Sequence, residues 1–161
     1  MCIRDSYKRF VYDMKVLIEA NYKNVTFEYV VFDTKAYHVA NEKEFFQAKL
    51  GCGTRHDSGI KAMLEIMESE YPDKTYDRFP FLIGDMEEYF DEKTLGRLLK
   101  ELIDQSTYSG AVKGGRGIDE FTDVLEQNHN SVENFGYVDL GKDPQGYRLD
   151  HLKKLLKNDE D

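Results

Sequence analysis

An apolar run, Phe79-Pro80-Phe81-Leu82-Ile83-Gly84, is followed directly by Asp85. The run is too short for a helix and too apolar for an exposed loop, which indicates a buried β-strand. Asp85 is then expected at the carboxyl end of that strand. Because ligands bind at the carboxyl ends of the strands in an open parallel sheet, the sequence places Asp85 where a functional site is expected.

A second candidate residue, Thr54, lies just before a predicted helix. Apolar residues recur after it at helical spacing: Ile60, Met63, Leu64, Met67 and Tyr71. This pattern predicts a helix from Asp57 to Tyr71, with Gly53-Thr54 in the loop at its start. A threonine hydroxyl and an aspartate carboxylate are hard oxygen ligands, which suit Mg²⁺ or Mn²⁺ and suit soft metals poorly. Thr54 and Asp85 are therefore candidate metal ligands, although two ligands alone do not hold a divalent ion.

The rest of the sequence predicts alternating helices and strands. Before Asp57, the patterns indicate a helix that contains Phe10 to Ile18 and ends near Asn21, a strand from Val25 to Phe32, a short edge strand from Tyr37 to Ala40 and a brief helical segment from Glu42 to Gln47. After Asp85, they indicate a helix capped by Asp91 with Leu95 to Ile103 in its buried stripe, a short helix from Ile118 to Leu125, a buried strand from Phe135 to Leu140 and a closing helix from Leu149 to Leu156. Such alternation predicts an α/β fold, namely a three-layer sandwich with a mostly parallel sheet and helices on both faces.

A polar, glycine-rich stretch from Ser106 to Gly117 is predicted to be a mobile loop. Its glycines, with Lys113 and Arg116 interleaved, also resemble the kind of loop that holds a phosphate. However, the stretch lacks a Walker-type lysine-serine ending, and the sequence predicts no strand before it. The loop interpretation is therefore favoured over a phosphate site.

Length and composition limit the classes of function. The chain has 161 residues, 40% hydrophobic and 33% charged, which fits one soluble α/β domain with a substantial core. Its net charge of -9 disfavours nucleic-acid binding by phosphate neutralisation. No apolar stretch approaches the length of a membrane span, and the only cysteines are Cys2 and Cys52. These features predict a cytoplasmic protein that binds neither nucleic acid nor membrane.

The start of the chain departs from the expected order of elements. An alternating α/β domain normally begins with a central strand that carries a site loop at its tip, but here a helix comes almost at once. Met1 to Ser6 resemble a spurious start in a fragmentary metagenomic gene prediction and are set aside. The predicted organisation is a spurious start in residues 1–6, a partial domain without its first central strand in residues 7–157, and an acidic tail in residues 158–161.

Seven short segments carry a family resemblance through their order and spacing. They are Asn21-Tyr22-Lys23-Asn24-Val25, Glu44-Phe45-Phe46, Gly53-Thr54, Met63-Leu64-Glu65-Ile66, Glu70-Tyr71-Pro72, Gly84-Asp85 and Phe135-Gly136-Tyr137-Val138. From about Tyr22 to Leu140 the chain thereby resembles von Willebrand factor type A-like domains and, among them, the bacterial YeaH/YhbH sporulation-associated proteins.

The resemblance implies a metal-ion-dependent adhesion site that is built from three loops. Thr54 corresponds to the second loop and Asp85 to the third. The first loop has the pattern Asp-x-Ser-x-Ser, which this chain does not contain. Since that loop supplies much of the coordination, this truncated chain is expected to bind Mg²⁺ or Mn²⁺ weakly or not at all.

The function that the resemblance implies is a non-enzymatic protein–protein interaction module, in which the ion accepts a carboxylate from a partner. The implied partners are a PrkA-type serine protein kinase or a SpoVR-type protein, in a stress or sporulation response. Two alternatives stay open: a scaffold without metal, and a metal-assisted hydrolase in which Asp85 binds the ion and His56 or Asp57 is the general base. Against the hydrolase, His56 is expected on the surface at the helix start, and Asp57 is expected to be the helix N-cap.

Overall fold

The computed structural model describes residues 4–39, 41–47, 55–84, 86, 92–114 and 120–139. In order, the elements of this part of the chain are α1 (Arg4–Asn21), β1 (Tyr29–Phe32), β2 (Ala36–Val39), α2 (Glu42–Gln47), α3 (His56–Glu70), β3 (Phe81–Gly84), α4 (Glu92–Asp104), β4 (Ser109–Lys113), α5 (Glu120–Ser131) and β5 (Phe135–Asp139). From α3 onward, these elements alternate between helix and strand. Strands β3, β4 and β5 form a parallel sheet in that order, and β1 pairs with β2 as an antiparallel hairpin. The fold is therefore mixed α/β, as the sequence predicts.

Strand β4 lies at the centre of the parallel sheet, and its register aligns the ends of all three strands. Gly84 at the end of β3 lies opposite Lys113 at the end of β4, and Lys113 lies opposite Asp139 at the end of β5. The three strands therefore end level with one another. We call this side, defined by Gly84, Lys113 and Asp139, the carboxyl edge.

The central strand β4 shows that the prediction of a mobile loop is wrong for Ser109 to Lys113, and residues 115–117 of that predicted loop lie outside the described residues. Every residue from Ser109 to Lys113 is buried. Pairing with β3 and β5 satisfies the backbone hydrogen-bonding groups of this segment. Its small side chains bury little apolar surface themselves, so the segment becomes a strand through its surroundings. Gly110 therefore belongs to a strand rather than to a phosphate-binding loop.

The other described elements agree with the sequence predictions in type and order. Helix α1 ends at Asn21 and α2 has the predicted bounds, whereas β1 begins at Tyr29 rather than Val25. Several predicted features lie outside the described residues: the candidate ligands Thr54 and Asp85, Ala40, the Asp91 cap, Ile118, Leu140, the closing helix from Leu149 to Leu156, and the residue ranges 1–3 and 158–161.

Successive residues of the parallel strands belong in turn to two different apolar clusters. Leu82 and Ala111 belong to a cluster that includes side chains of α3, α4 and α5. Ile83 and Val112 belong to the other cluster, which includes Phe10 of α1. Because successive side chains of a strand point to opposite faces, α1 packs on one face of this sheet and α3, α4 and α5 pack on the other.

The helices bury one side and expose the other. In α1, Met14 is buried, whereas Tyr12 and Val16 are exposed. In α4, the buried residues recur at helical spacing: Leu95, Leu98, Leu99, Leu102 and Ile103. None of the described helices has the length and apolar composition that crossing a bilayer requires.

Replacement of Ala111 by Asp tests whether β4 is a buried strand. Ala111 is fully buried, so a carboxylate at this position would be enclosed without an opposite charge. We expect Ala111→Asp to lower the free energy of unfolding by about 3–5 kcal/mol or to prevent folding. Urea denaturation followed by circular dichroism measures this change.

Ala20→Asp is the matched control for this prediction, because Ala20 is exposed on α1. It should change the free energy of unfolding by no more than about 1 kcal/mol. If Ala111→Asp is as mild as Ala20→Asp, the segment is not a buried central strand.

Candidate functional site

The end of β3 and the start of α3 meet at the carboxyl edge. His56 is the first residue of α3, and its Nε2 atom lies 2.9 Å from the position that a Cβ on Gly84 would occupy. A side chain larger than that of glycine would therefore displace the imidazole. Thr54 and Asp85 are outside the described residues, but Thr54 lies two positions before His56 and Asp85 directly follows Gly84. The two predicted site loops thus adjoin residues that are in contact.

His56 is fully buried, which shows that the prediction of a surface residue is wrong. Its ring lies near two aromatic rings, with centroid separations of 5.3 Å from Phe32 and 5.7 Å from Phe121. These rings come from β1 and α5, so His56 joins four elements of the fold. The polar sequence around His56 suggests exposure, but the surrounding strands and helices exclude solvent from the imidazole.

Asp57 is also buried, and it is the second residue of α3 rather than its N-cap. Arg55 occupies the capping position and donates two hydrogen bonds to the Asp57 carboxylate, from Nε to Oδ1 and from Nη2 to Oδ2, both of 2.9 Å. Lys61 Nζ lies 3.9 Å from Oδ2. The hydrogen bond from Arg55 lowers the pKa of the Asp57 carboxyl below its ordinary value. This carboxylate is therefore ionised at neutral pH and is held by cationic side chains.

A buried lysine and an aspartate lie at the same edge, although the sequence considered alone places Lys113 in a loop and does not single out Asp139. The Nζ atom of Lys113 is 3.9 Å from Oδ1 of Asp139, and the lysine side chain is only 3% exposed. A buried ammonium group requires an opposite charge, which Asp139 provides. The sequence signal is limited to Asp139, which follows the largely apolar run Phe135-Gly136-Tyr137-Val138.

Two described carboxylates near this edge lie beside cationic groups. Arg55 binds Asp57, and Lys113 lies near Asp139. Within the described ranges, no group of three or more His, Cys, Asp or Glu side chains is arranged to hold a metal ion. The hydroxyl and carboxylate donors of Thr54 and Asp85 suit a hard divalent ion in their chemistry. The described residues would therefore form the surroundings of such an ion, and the adjoining loops would supply its ligands.

A protein-family model matches most of the chain. The family is described as "Protein of unknown function (DUF444)", and the match covers residues 3–157. A UPF0229 protein of Clostridium perfringens is 28% identical over 107 residues, which are 66% of this chain and 27% of the relative. A UPF0229 protein of Serratia proteamaculans is 24% identical over 153 residues, which are 94% of this chain and 33% of the relative. The matched part of the chain thus covers a third or less of the length of these curated relatives.

The ion pair of Asp57 should make stability depend on pH. Because its pKa is lowered on folding, Asp57 stabilises the fold above its unfolded-state pKa of about 3.9, and this contribution is lost as the pH falls through the lower folded-state pKa. We expect Asp57→Asn to reduce the free energy of unfolding by about 1–3 kcal/mol at neutral pH. The difference from the unmodified chain should shrink below about pH 4.

Urea denaturation of both proteins between neutral pH and about pH 3 measures this difference. Asp73→Asn is the control, because Asp73 is exposed in the turn after α3. It should match the unmodified chain at each pH. A penalty for Asp57→Asn that stays constant down to the lowest pH would contradict the role given to the Arg55–Asp57 pair.

Proposed function

The chain belongs to the DUF444 family, with bacterial UPF0229 (YeaH/YhbH-like) relatives. From the resemblance of its sequence to adhesion-type domains, we propose that it is a protein–protein interaction module with a Mg²⁺-dependent adhesion-type site. One observation carries the proposal: His56 and Gly84 meet at the carboxyl edge of the parallel sheet. The proposed ligands Thr54 and Asp85 adjoin these two residues in the sequence. Ligand sites of open parallel sheets lie at this edge.

The fold that we propose for the whole domain is a von Willebrand A-like three-layer sandwich. Its support is the packing of α1 against one face of the parallel sheet and of α3, α4 and α5 against the other. In this arrangement, α3 begins at the same edge at which β3 ends. A loop before α3 and a loop after β3 would then face the same ligand.

In the proposed site, the Thr54 hydroxyl and the Asp85 carboxylate hold Mg²⁺ or Mn²⁺. These two ligands leave most coordination positions of a hard divalent ion to other oxygen atoms. When bound, the ion supplies a concentrated positive charge that attracts a carboxylate from a partner protein. The neighbouring Arg55–Asp57 and Lys113–Asp139 pairs each combine one positive and one negative group, so they do not compete strongly for that carboxylate.

The proposed partner is a protein rather than a nucleic acid or a membrane. The net charge of -9 disfavours contact with phosphate backbones. On the basis of the family resemblance, we propose a PrkA-type serine protein kinase or a SpoVR-type protein as the partner, in a cytoplasmic stress or sporulation response. Such a partner would present an acidic side chain to the carboxyl edge.

Burial disfavours the alternative of a metal-assisted hydrolase. His56 is enclosed near Phe32 and Phe121, and the Asp57 carboxylate accepts hydrogen bonds from Arg55. A general base must reach a water molecule or substrate and accept its proton. The positions of His56 and Asp57 suit packing and helix stabilisation better than this role.

Isothermal titration of Mg²⁺ and Mn²⁺ into the full-length protein tests the proposed site. We expect saturable binding, and we expect Thr54→Ala and Asp85→Ala each to weaken it by at least about tenfold because each removes an oxygen ligand. Thr75→Ala and Asp73→Ala are matched controls, since both residues are exposed in the segment that precedes β3. These controls should bind the ion as the unmodified protein does.

Two results would contradict the proposed metal site. One is the absence of binding by the unmodified full-length protein, which would favour a scaffold without metal. The other is unchanged affinity in both Thr54→Ala and Asp85→Ala, which would place any bound ion elsewhere.

A further inference from the structure

A cavity of about 680 Å³ lies between strands β1 and β3. Its lining includes every residue from Val25 to Phe32 on one side and every residue from Thr75 to Gly84 on the other. The side chains of a strand alternate between two faces, so lining by consecutive residues means that each strand presents its backbone edge to the cavity. Val11, Met14 and Ile18 of α1 and Gly59, Met63 and Ile66 of α3 complete the walls.

The hydrogen bonds of β3 identify which of its backbone groups face the cavity. The carbonyl groups of Pro80 and Gly84 accept hydrogen bonds from the N–H groups of Gly110 and Gly114, at 3.0 and 2.9 Å. Backbone groups of successive residues point to opposite edges of a strand. The N–H and C=O groups of Phe81 therefore point away from β4, as do those of Ile83. In the part of the chain that the structure covers, β3 pairs with β4 alone.

Strand β1 presents a second edge to the same cavity. The N–H group of Asp33 donates a 2.9 Å hydrogen bond to the carbonyl of Lys35, and hydrogen-bonded pairs alternate from this point along the hairpin. Tyr29 and Val31 therefore bond to β2, whereas the backbone groups of Val30 and Phe32 point toward the cavity. Among the described strands, β1 pairs only with β2.

The two edges run in the same direction. At one end, the Phe32 ring lies 3.7 Å from the position that a Cβ on Gly84 would occupy, so the ends of β1 and β3 are close together. At the other end, the Tyr71 hydroxyl donates to Glu28 just before β1, and Arg78 just before β3 donates to the Tyr71 carbonyl. The starts of β1 and β3 are thus also joined, through Tyr71.

The volume of the cavity is similar to that of one short strand. A strand rises about 3.3 Å per residue, lies about 4.8 Å from each neighbour and occupies a layer about 10 Å thick, so four or five residues take roughly 600–800 Å³. This range includes the observed volume of about 680 Å³. Because residues of α1 and α3 line the cavity on its two remaining sides, a strand placed here would pack against a helix on each face and would need apolar side chains on both.

We propose that this cavity is a slot for one β-strand that pairs with β1 and β3 and joins the two sheets into one. The occupant that we infer is an apolar segment of the same polypeptide outside these 161 residues, because the segments that match two relatives cover only 27% and 33% of the length of those relatives. A strand parallel to both neighbours would bond to the backbone groups of Val30, Phe32, Phe81 and Ile83. Backbone groups that face an apolar cavity are unfavourable without partners, so this pairing stabilises the fold. The inference concerns the fold and does not require a metal.

Amide hydrogen exchange tests this slot in the full-length protein. The amides of Val30, Phe32, Phe81 and Ile83 should exchange as slowly as that of Val112, which lies in the central strand β4. In the 161-residue chain, we expect the same four amides to exchange at least about 100-fold faster than in the full-length protein. Rapid exchange of the four amides in the full-length protein would overturn the proposal, whether or not the shorter chain folds.

The identity of the occupant is tested by the same measurement. Slow exchange that is already present in the 161-residue chain at all concentrations would mean that its own residues fill the slot. Slow exchange that appears only at high concentration would identify a second copy of the chain. Either result would overturn the inferred occupant.

Two valines of α1 provide a matched pair of variants in the full-length protein. Val11 lines the slot and is 8% exposed, whereas Val16 does not line it and is 51% exposed. We expect Val11→Lys to accelerate exchange of the four edge amides by at least about tenfold and Val16→Lys to leave it unchanged. If the four edge amides exchange at the same rate in both variants and in the unmodified protein, Val11 of α1 does not line an occupied slot.

Discussion

The contact between His56 and the end of β3 fixes the geometry of the carboxyl edge. A Cβ on Gly84 would lie only 2.9 Å from the imidazole Nε2 atom, so this approach requires glycine at the last position of the strand. The Phe32 and Phe121 rings hold the imidazole from β1 and α5. The imidazole of His56 therefore contacts residues of three other elements, namely β1, β3 and α5. The candidate ligands Thr54 and Asp85 adjoin His56 and Gly84 in the sequence, and our functional proposal depends on the contact between these two residues.

Charged side chains near this edge are arranged in opposite pairs. Arg55 binds Asp57 through two hydrogen bonds, and Lys113 lies beside Asp139. Burial of one such charge alone would be unfavourable, and each partner reduces that cost. The pairs thus allow polar residues to end apolar strands and to begin a helix without exposing the core. They also leave the recognition of an acidic partner to the proposed ion.

Much of the fold follows from local sequence patterns. The leucines of α4 recur at helical spacing and are buried, and the short strand predicted from Tyr37 is present as β2. Strand β4 could not be predicted in this way, because Ser109-Gly110-Ala111-Val112-Lys113 has no apolar alternation and becomes a strand through pairing on both sides. The choice of Thr54 and Asp85 stays a prediction, supported by the contact of residues that adjoin them.

The burial of His56 and Lys113 depends on distant parts of the chain. The local sequence around each residue therefore does not predict it. His56 lies in a polar segment. Strand β2 and helix α2 separate it in the sequence from Phe32, and Phe121 follows much later, in α5. The Lys113–Asp139 pair likewise exists because of strand register, which a periodic pattern in one segment does not define. The only sequence features that indicate this edge are polar residues that follow apolar runs, namely Asp85 and Asp139.

Paramagnetic broadening by Mn²⁺ in the full-length protein tests the central claim most directly, because it locates a bound ion without altering any residue. Mn²⁺ should selectively broaden the amide signals of His56 and Gly84 at the carboxyl edge, while those of Tyr71 and Arg78 at the opposite end of α3 and β3 remain sharp. Excess Mg²⁺ should reverse the broadening because both ions take hard oxygen ligands. The absence of selective broadening, or broadening centred away from His56 and Gly84, would contradict a metal-dependent site at this edge.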